Sequence, residues 1–187
     1  MNKITHIIIH HFGGSDSDPL ADTSNQTFEV VNEYHRQKWN FKSSLGYYCG
    51  YQYVIEKDGK VTQARADTET GAHAIGHNDS SIGIALAGNF DLTMPTQAQI
   101  EALKPLISSL RAKYNITLEN VVPHRKFANK TCFGRLLSDD WVIKLLTPIH
   151  VATKPCIAEE KIIESQKKQI FNLQTLIANL IKFFNLK

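Results

Sequence analysis

His124 and Cys132 stand eight positions apart, and Lys130 lies two before the cysteine. Far upstream, His10 and His11 close the apolar run Ile7-Ile8-Ile9. Two imidazoles and a thiolate are the donors zinc uses when one coordination position stays open for water. That set points to a hydrolase in which a metal activates water. A lone histidine after a strand is ordinarily a satisfied polar residue, and a lone buried cysteine a small hydrophobe. The combination, with a lysine beside the cysteine, is what speaks for chemistry. Neighbouring side chains of an extended strand point to opposite faces, so only one of His10 and His11 easily reaches a given ion. The residues alone leave open which one, and whether the other supports the site or packs in the core.

The elements that must position these groups follow from patterning. Residues 4–9 are short, β-branched and apolar on both faces, which predicts a buried strand ahead of the two histidines. A polar loop with Gly13, Gly14 and Pro19 leads to a helix predicted over residues 24–38, with Phe28, Val31 and His35 on one side. Residues 51–55 and 61–65 predict two strands joined by an Asp58-Gly59 turn. Residues 82–87, small and apolar, predict a central strand. Thr96 and Gln99 predict a capping box opening a helix that runs to Tyr114, with Ile100, Leu103, Ile107 and Leu110 as its stripe and Asn115 as its stop. Residues 121–123 predict a short strand delivering His124, and Ser138 caps a last helix. The expected class is α/β: a mixed central β-sheet flanked by helices, plus a C-terminal amphipathic helix.

Three segments are expected: a catalytic domain over 1–150, a linker over 151–158 and a helix over 159–187. In that helix Ile163, Ile170, Ile177 and Phe184 recur every seven residues, with Gln166, Leu173 and Leu180 three later. This is an a/d pattern that favours a parallel dimer where it is followed. Leu176, Ile181 and Phe183 widen the stripe, which suits docking on the domain, a homo-oligomer through 159–187, or contact with an envelope surface.

The chain has 187 residues, 42% of them hydrophobic, enough for one ordinary core and an appendage. Net charge is +3, but six lysines and three glutamates lie from Lys154 onward, leaving 15 basic and 15 acidic residues before it. A body so balanced excludes the broad basic face of a nucleic-acid binder. Three cysteines give an odd count and no disulfide framework, which fits a reducing compartment. The amino terminus does not read as a signal peptide, so the protein is expected to be made in the cytoplasm and to stay there unless another factor releases it.

Four stretches resemble the zinc-dependent N-acetylmuramoyl-L-alanine amidase family, which includes small phage amidases and the peptidoglycan recognition proteins. They are Ile7 to His11; Gly50 to Ile55 with Lys57 to Val61; Gly71-Ala72-His73-Ala74 through Asn78, Ser81 to Ile84 and Gly88 to Phe90; and His124 to Cys132. Each is weak alone, but their order and spacing cover most of residues 4–145. The tail lies outside the resemblance.

The resemblance implies that His10, not His11, joins His124 and Cys132 on zinc. It implies a cut at the amide between N-acetylmuramic acid and L-alanine in bacterial peptidoglycan, with Lys130 stabilising charge on the carbonyl oxygen. Tyr51 would orient water or help move its proton. His73 either lines the substrate cleft or packs. Three roles remain open on this reading: a phage-type endolysin, a cytosolic muropeptide-recycling amidase, and a non-catalytic peptidoglycan-binding protein. One departure concerns chemistry: position 85 is alanine where some relatives carry a glutamate.

Overall fold

The computed structural model describes residues 3–15, 17–147 and 157–185. The chain divides into two units, Met1–Thr147 and Pro148–Lys187.

The first unit is built on a five-stranded sheet in the order β3-β2-β4-β1-β5. Its strands are β1 (His6–His11), β2 (Tyr53–Ile55), β3 (Val61–Gln63), β4 (Ser81–Leu86) and β5 (Val121–Pro123). β1 pairs in parallel with β4 and β5, and β2 in parallel with β4, while β3 returns antiparallel to β2. The mixed sheet with flanking helices is the expected class. β1 and β4 are central, which is why both read as continuous apolar runs. Ile7, Ile8 and Ile9 are fully buried, each contributing about 2 kcal/mol by leaving water.

Alternation along β1 divides the core. Ile7 and Ile9 join Ile82, Ile84 and Leu86 in the main cluster under α2 (Gln97–Tyr114) and α3 (Trp141–Leu146). Ile8 turns the other way, toward Ala74 and Val122. Val54 packs with Phe28 and Val31 of α1 (Phe28–Trp39).

The helix signals operate with small shifts. The Thr96 and Gln99 capping box is complete, and Asn115 ends α2 in the left-handed conformation. Gln99, rather than Ile100, fills the top of the buried face, because its amide donates to the carbonyls of Ile55 and Ala87. α1 begins at Phe28 instead of residue 24: Gln26 N–H closes a turn onto Thr23, and Glu56 accepts from the Phe28 N–H. α3 begins at Trp141; Ser138 instead donates to the Asp140 carboxylate.

The second unit contributes α4 (Ile157–Asn185), on which Ile170, Leu173 and Ile177 are exposed. The expected linker falls outside the described residues as far as position 156, as does Cys156. Among the described residues no helix is long and apolar enough to cross a membrane.

Candidate active site

Sheet register brings the upstream histidine to the downstream one. Ile9 pairs with Pro123, so His10 and His124 leave adjacent parallel strands side by side. Their ring centroids lie 4.4 Å apart. His10 shares its face of β1 with Ile8, opposite the main core, and so turns toward His124. His11 points the other way and is buried; its Nδ1 accepts from the Phe90 N–H at 2.9 Å.

The chain after His124 turns back and is clamped in place. Arg125 N–H donates to the Cys132 carbonyl, and the Arg125 guanidinium donates to Gly134, Leu137 and Asp139. Asp91 accepts from Thr131 Oγ1 and from the Arg135 N–H. Phe133 is fully buried in the main core, anchoring the residue that follows Cys132. The result places Cys132 Sγ 3.7 Å from His10 Nδ1.

His10, His124 and Cys132 thus offer donor atoms that all lie within 4.8 Å of one another, a group able to hold a metal ion. The donor set suits a tetrahedral zinc with one open position. The 3.7 Å between His10 Nδ1 and Cys132 Sγ is close to the spacing of two donors sharing such an ion through bonds of about 2.0 and 2.3 Å. Burial first, then the neighbouring His73 and His124, hold the His10 imidazole well below its ordinary pKa, and burial with Lys130 lowers His124. Neutral imidazoles are the form that binds metal. Burial pushes the Cys132 thiol up to about 12, so an arriving cation must displace its proton.

A cleft of about 1200 Å³ opens over this cluster and is lined by Tyr51, His73 and Lys130 as well as the three donors. The Tyr51 ring lies 4.9 Å from His10. Burial, then Cys132 and Cys49, raise its phenol well above the usual range, so it stays protonated. Lys130 is exposed at the rim. His73 is buried beneath the cleft, its Nδ1 3.1 Å from His10 Nε2. Ala85 is the register partner of His10 on β4, so this position brings no carboxylate to that ring.

α1 supplies a wall that the sequence reading did not assign to the site. His35, Trp39 and Tyr34 all line the cleft. His35 Nδ1 accepts from the Gly50 N–H, and its ring lies tilted against Trp39 at 4.5 Å and Tyr51 at 5.4 Å. The available signal was His35 at helical spacing from Phe28 and Val31: a polar ring on an apolar stripe.

Peptidoglycan-recognition protein SC2 of Drosophila melanogaster is 32% identical over 135 residues, covering 71% of this chain and 70% of that protein. The endolysin of Escherichia phage T7 is 36% identical over 89 residues, 44% of this chain and 57% of that one. The solved structure of N-acetylmuramoyl-L-alanine amidase LysC from Clostridium intestinale URNW is similar at a TM-score of 0.63 and 28% identity, covering 79% of this chain and 88% of that one. The Amidase_2 family model, described as N-acetylmuramoyl-L-alanine amidase, matches residues 1–135, a span that holds every strand of the sheet and all three donors. By that match, the chain belongs to the Amidase_2 family.

Proposed function

We propose that this protein is a zinc-dependent N-acetylmuramoyl-L-alanine amidase acting on bacterial peptidoglycan, in the manner of a phage endolysin. The observation that carries the reading is the convergence of His10, His124 and Cys132 at the floor of a cleft that Tyr51 and Lys130 also line. The three donors would hold zinc. When bound, zinc lowers the pKa of water and polarises a carbonyl.

The chain's own residues supply the rest. The cleft admits a substituted sugar and the start of its peptide stem, and His35 and Trp39 form an aromatic wall beside Tyr51. Tyr51, protonated, donates a hydrogen bond that orients the attacking water or the amide. It is too weak an acid to serve as a resting base. Lys130 stands at the rim, where charge grows on the amide oxygen, and stabilises it there. Ala85 contributes no carboxylate, so no base beside His10 comes from β4.

The test is mass spectrometry of a peptidoglycan digest with zinc content measured in parallel. New L-alanine amino termini with about one zinc per chain support the reading. Full zinc occupancy without amide cleavage rejects it. A second reading, peptidoglycan binding without hydrolysis, is favoured by the likeness to Peptidoglycan-recognition protein SC2. It predicts that Cys132→Ala binds sacculi like the unaltered protein and that neither cuts them. A muropeptide-recycling role would show as hydrolysis of soluble muropeptides in preference to intact sacculi. We further propose that the exposed face of α4 mediates self-association.

A further inference from the structure

We propose that His73 is a positioning residue that fixes which nitrogen of His10 faces the metal, and does not contact the substrate. This rests on His10 being a ligand. His10 has two ring nitrogens with different neighbours. Nδ1 faces Cys132 Sγ at 3.7 Å, and Nε2 faces His73 Nδ1 at 3.1 Å. Two facing imidazole nitrogens form a hydrogen bond only when one carries a proton and the other a lone pair. If His10 donates from Nε2, its Nδ1 lone pair is left free toward Cys132 and His124. If His73 donates instead, the His10 proton moves to Nδ1 and blocks the donor cluster.

A cation shared with Cys132 requires the first arrangement, because Nδ1 is the nitrogen turned toward the sulfur. His73 Nε2 is buried without a hydrogen-bond partner. With the His10 proton on Nε2, His73 Nδ1 is left as the acceptor at 3.1 Å. The ring has no freedom to turn away. A methyl group at Gly83 would come within 2.6 Å of His73 Cγ, and one at Gly71 within 2.5 Å of Cδ2. The backbone N–H groups of His73 and Ala74 both donate to Asn78 Oδ1 at 2.8 Å. Gly71, Asn78 and Gly83 therefore form a cradle for one imidazole, whose Nδ1 faces His10. Ligating histidines are commonly oriented by such an outer partner, whose loss costs about 10- to 100-fold in metal affinity.

Two measurements on the full chain test the proposal. Nitrogen-15 NMR of the metal-free protein reads the His10 tautomer directly; a proton on Nε2 is expected, and a proton on Nδ1 overturns the proposal whether or not zinc ever binds. Competition with a chelator then compares zinc affinity in His73→Phe, which fills the cradle without an acceptor, and His73→Asn, whose carbonyl oxygen takes the place of Nδ1. Affinity is expected to fall about 10- to 100-fold in the first and to recover largely in the second. Equal affinities in two variants that fold like the unaltered chain by circular dichroism overturn the proposal. Absence of zinc binding in the unaltered chain defeats the amidase reading instead, and the tautomer result still stands on its own.

Discussion

The roles proposed for Lys130 and Tyr51 in one reaction differ in kind, and substitution separates them. A cation facing a developing oxyanion contributes mainly in the transition state. Lys130→Met should therefore lower kcat about 100-fold with little change in KM, read by steady-state hydrolysis of a soluble muropeptide. Tyr51→Phe removes one hydroxyl from a buried ring beside His10. It should slow turnover by about 100-fold through loss of orientation while zinc content stays unchanged. At this scale the sequence was most legible where chemistry restricts residue type: His10, His124, Cys132, Tyr51 and Lys130 all line one cleft. His73 was visible as a motif residue, but its role was not. Whether an imidazole faces substrate or another imidazole depends on glycines at positions 71 and 83 that only the folded chain brings against it. The Arg125 and Asp91 clamps were equally hidden, because their partners are mostly backbone groups of a loop without periodicity.

At the level of elements, local signals with a stereochemical cause were the readable ones. The Thr96 and Gln99 box and the Asn115 stop define α2 as expected. Thr96→Ala should cost about 1 kcal/mol, seen as a fall in Tm of about 2–4 °C. Signals that depend on tertiary partners were less readable. Gln99 is buried because two strand ends present carbonyls to it, and nothing in the helical period announces that. Asp67 is a second such case, joining β2 to the end of α2. It accepts from Tyr53 at 2.5 Å, Lys113 at 2.7 Å and Tyr114 at 2.8 Å. Burial pulls its pKa up, but the hydrogen bonds from Lys113, Tyr53 and Tyr114 outweigh it and leave the carboxyl below its ordinary value. A carboxylate depressed on folding stabilises the native state above its unfolded pKa of about 3.9, and that stability is lost as pH falls through the folded value. The stability gap between the unaltered protein and Asp67→Asn should therefore be wide at pH 6 and narrow toward pH 3, measured by urea midpoints.

The molecule as a whole consists of a family-matched unit and a helical one. The match ends at residue 135, so family resemblance says nothing of α4. Its seven-residue spacing is what supports self-association. Truncation after Ala152 should lower the sedimenting mass to that of a monomer while hydrolysis of a soluble muropeptide persists; an unchanged mass removes the oligomer role. The first unit has its own core on both faces of the sheet, which is why it should survive the cut.

β1 lies between β4 and β5, and this placement governs when the donor cluster can exist. His10 emerges early in synthesis, yet Cys132 follows it by 122 residues. Its neighbour His124 is set in place only by the last strand to join. A nascent chain on the ribosome therefore holds one donor without its companions until the sheet closes. Assembly itself therefore decides when the proposed centre can exist: a partly made copy holds an incomplete donor set.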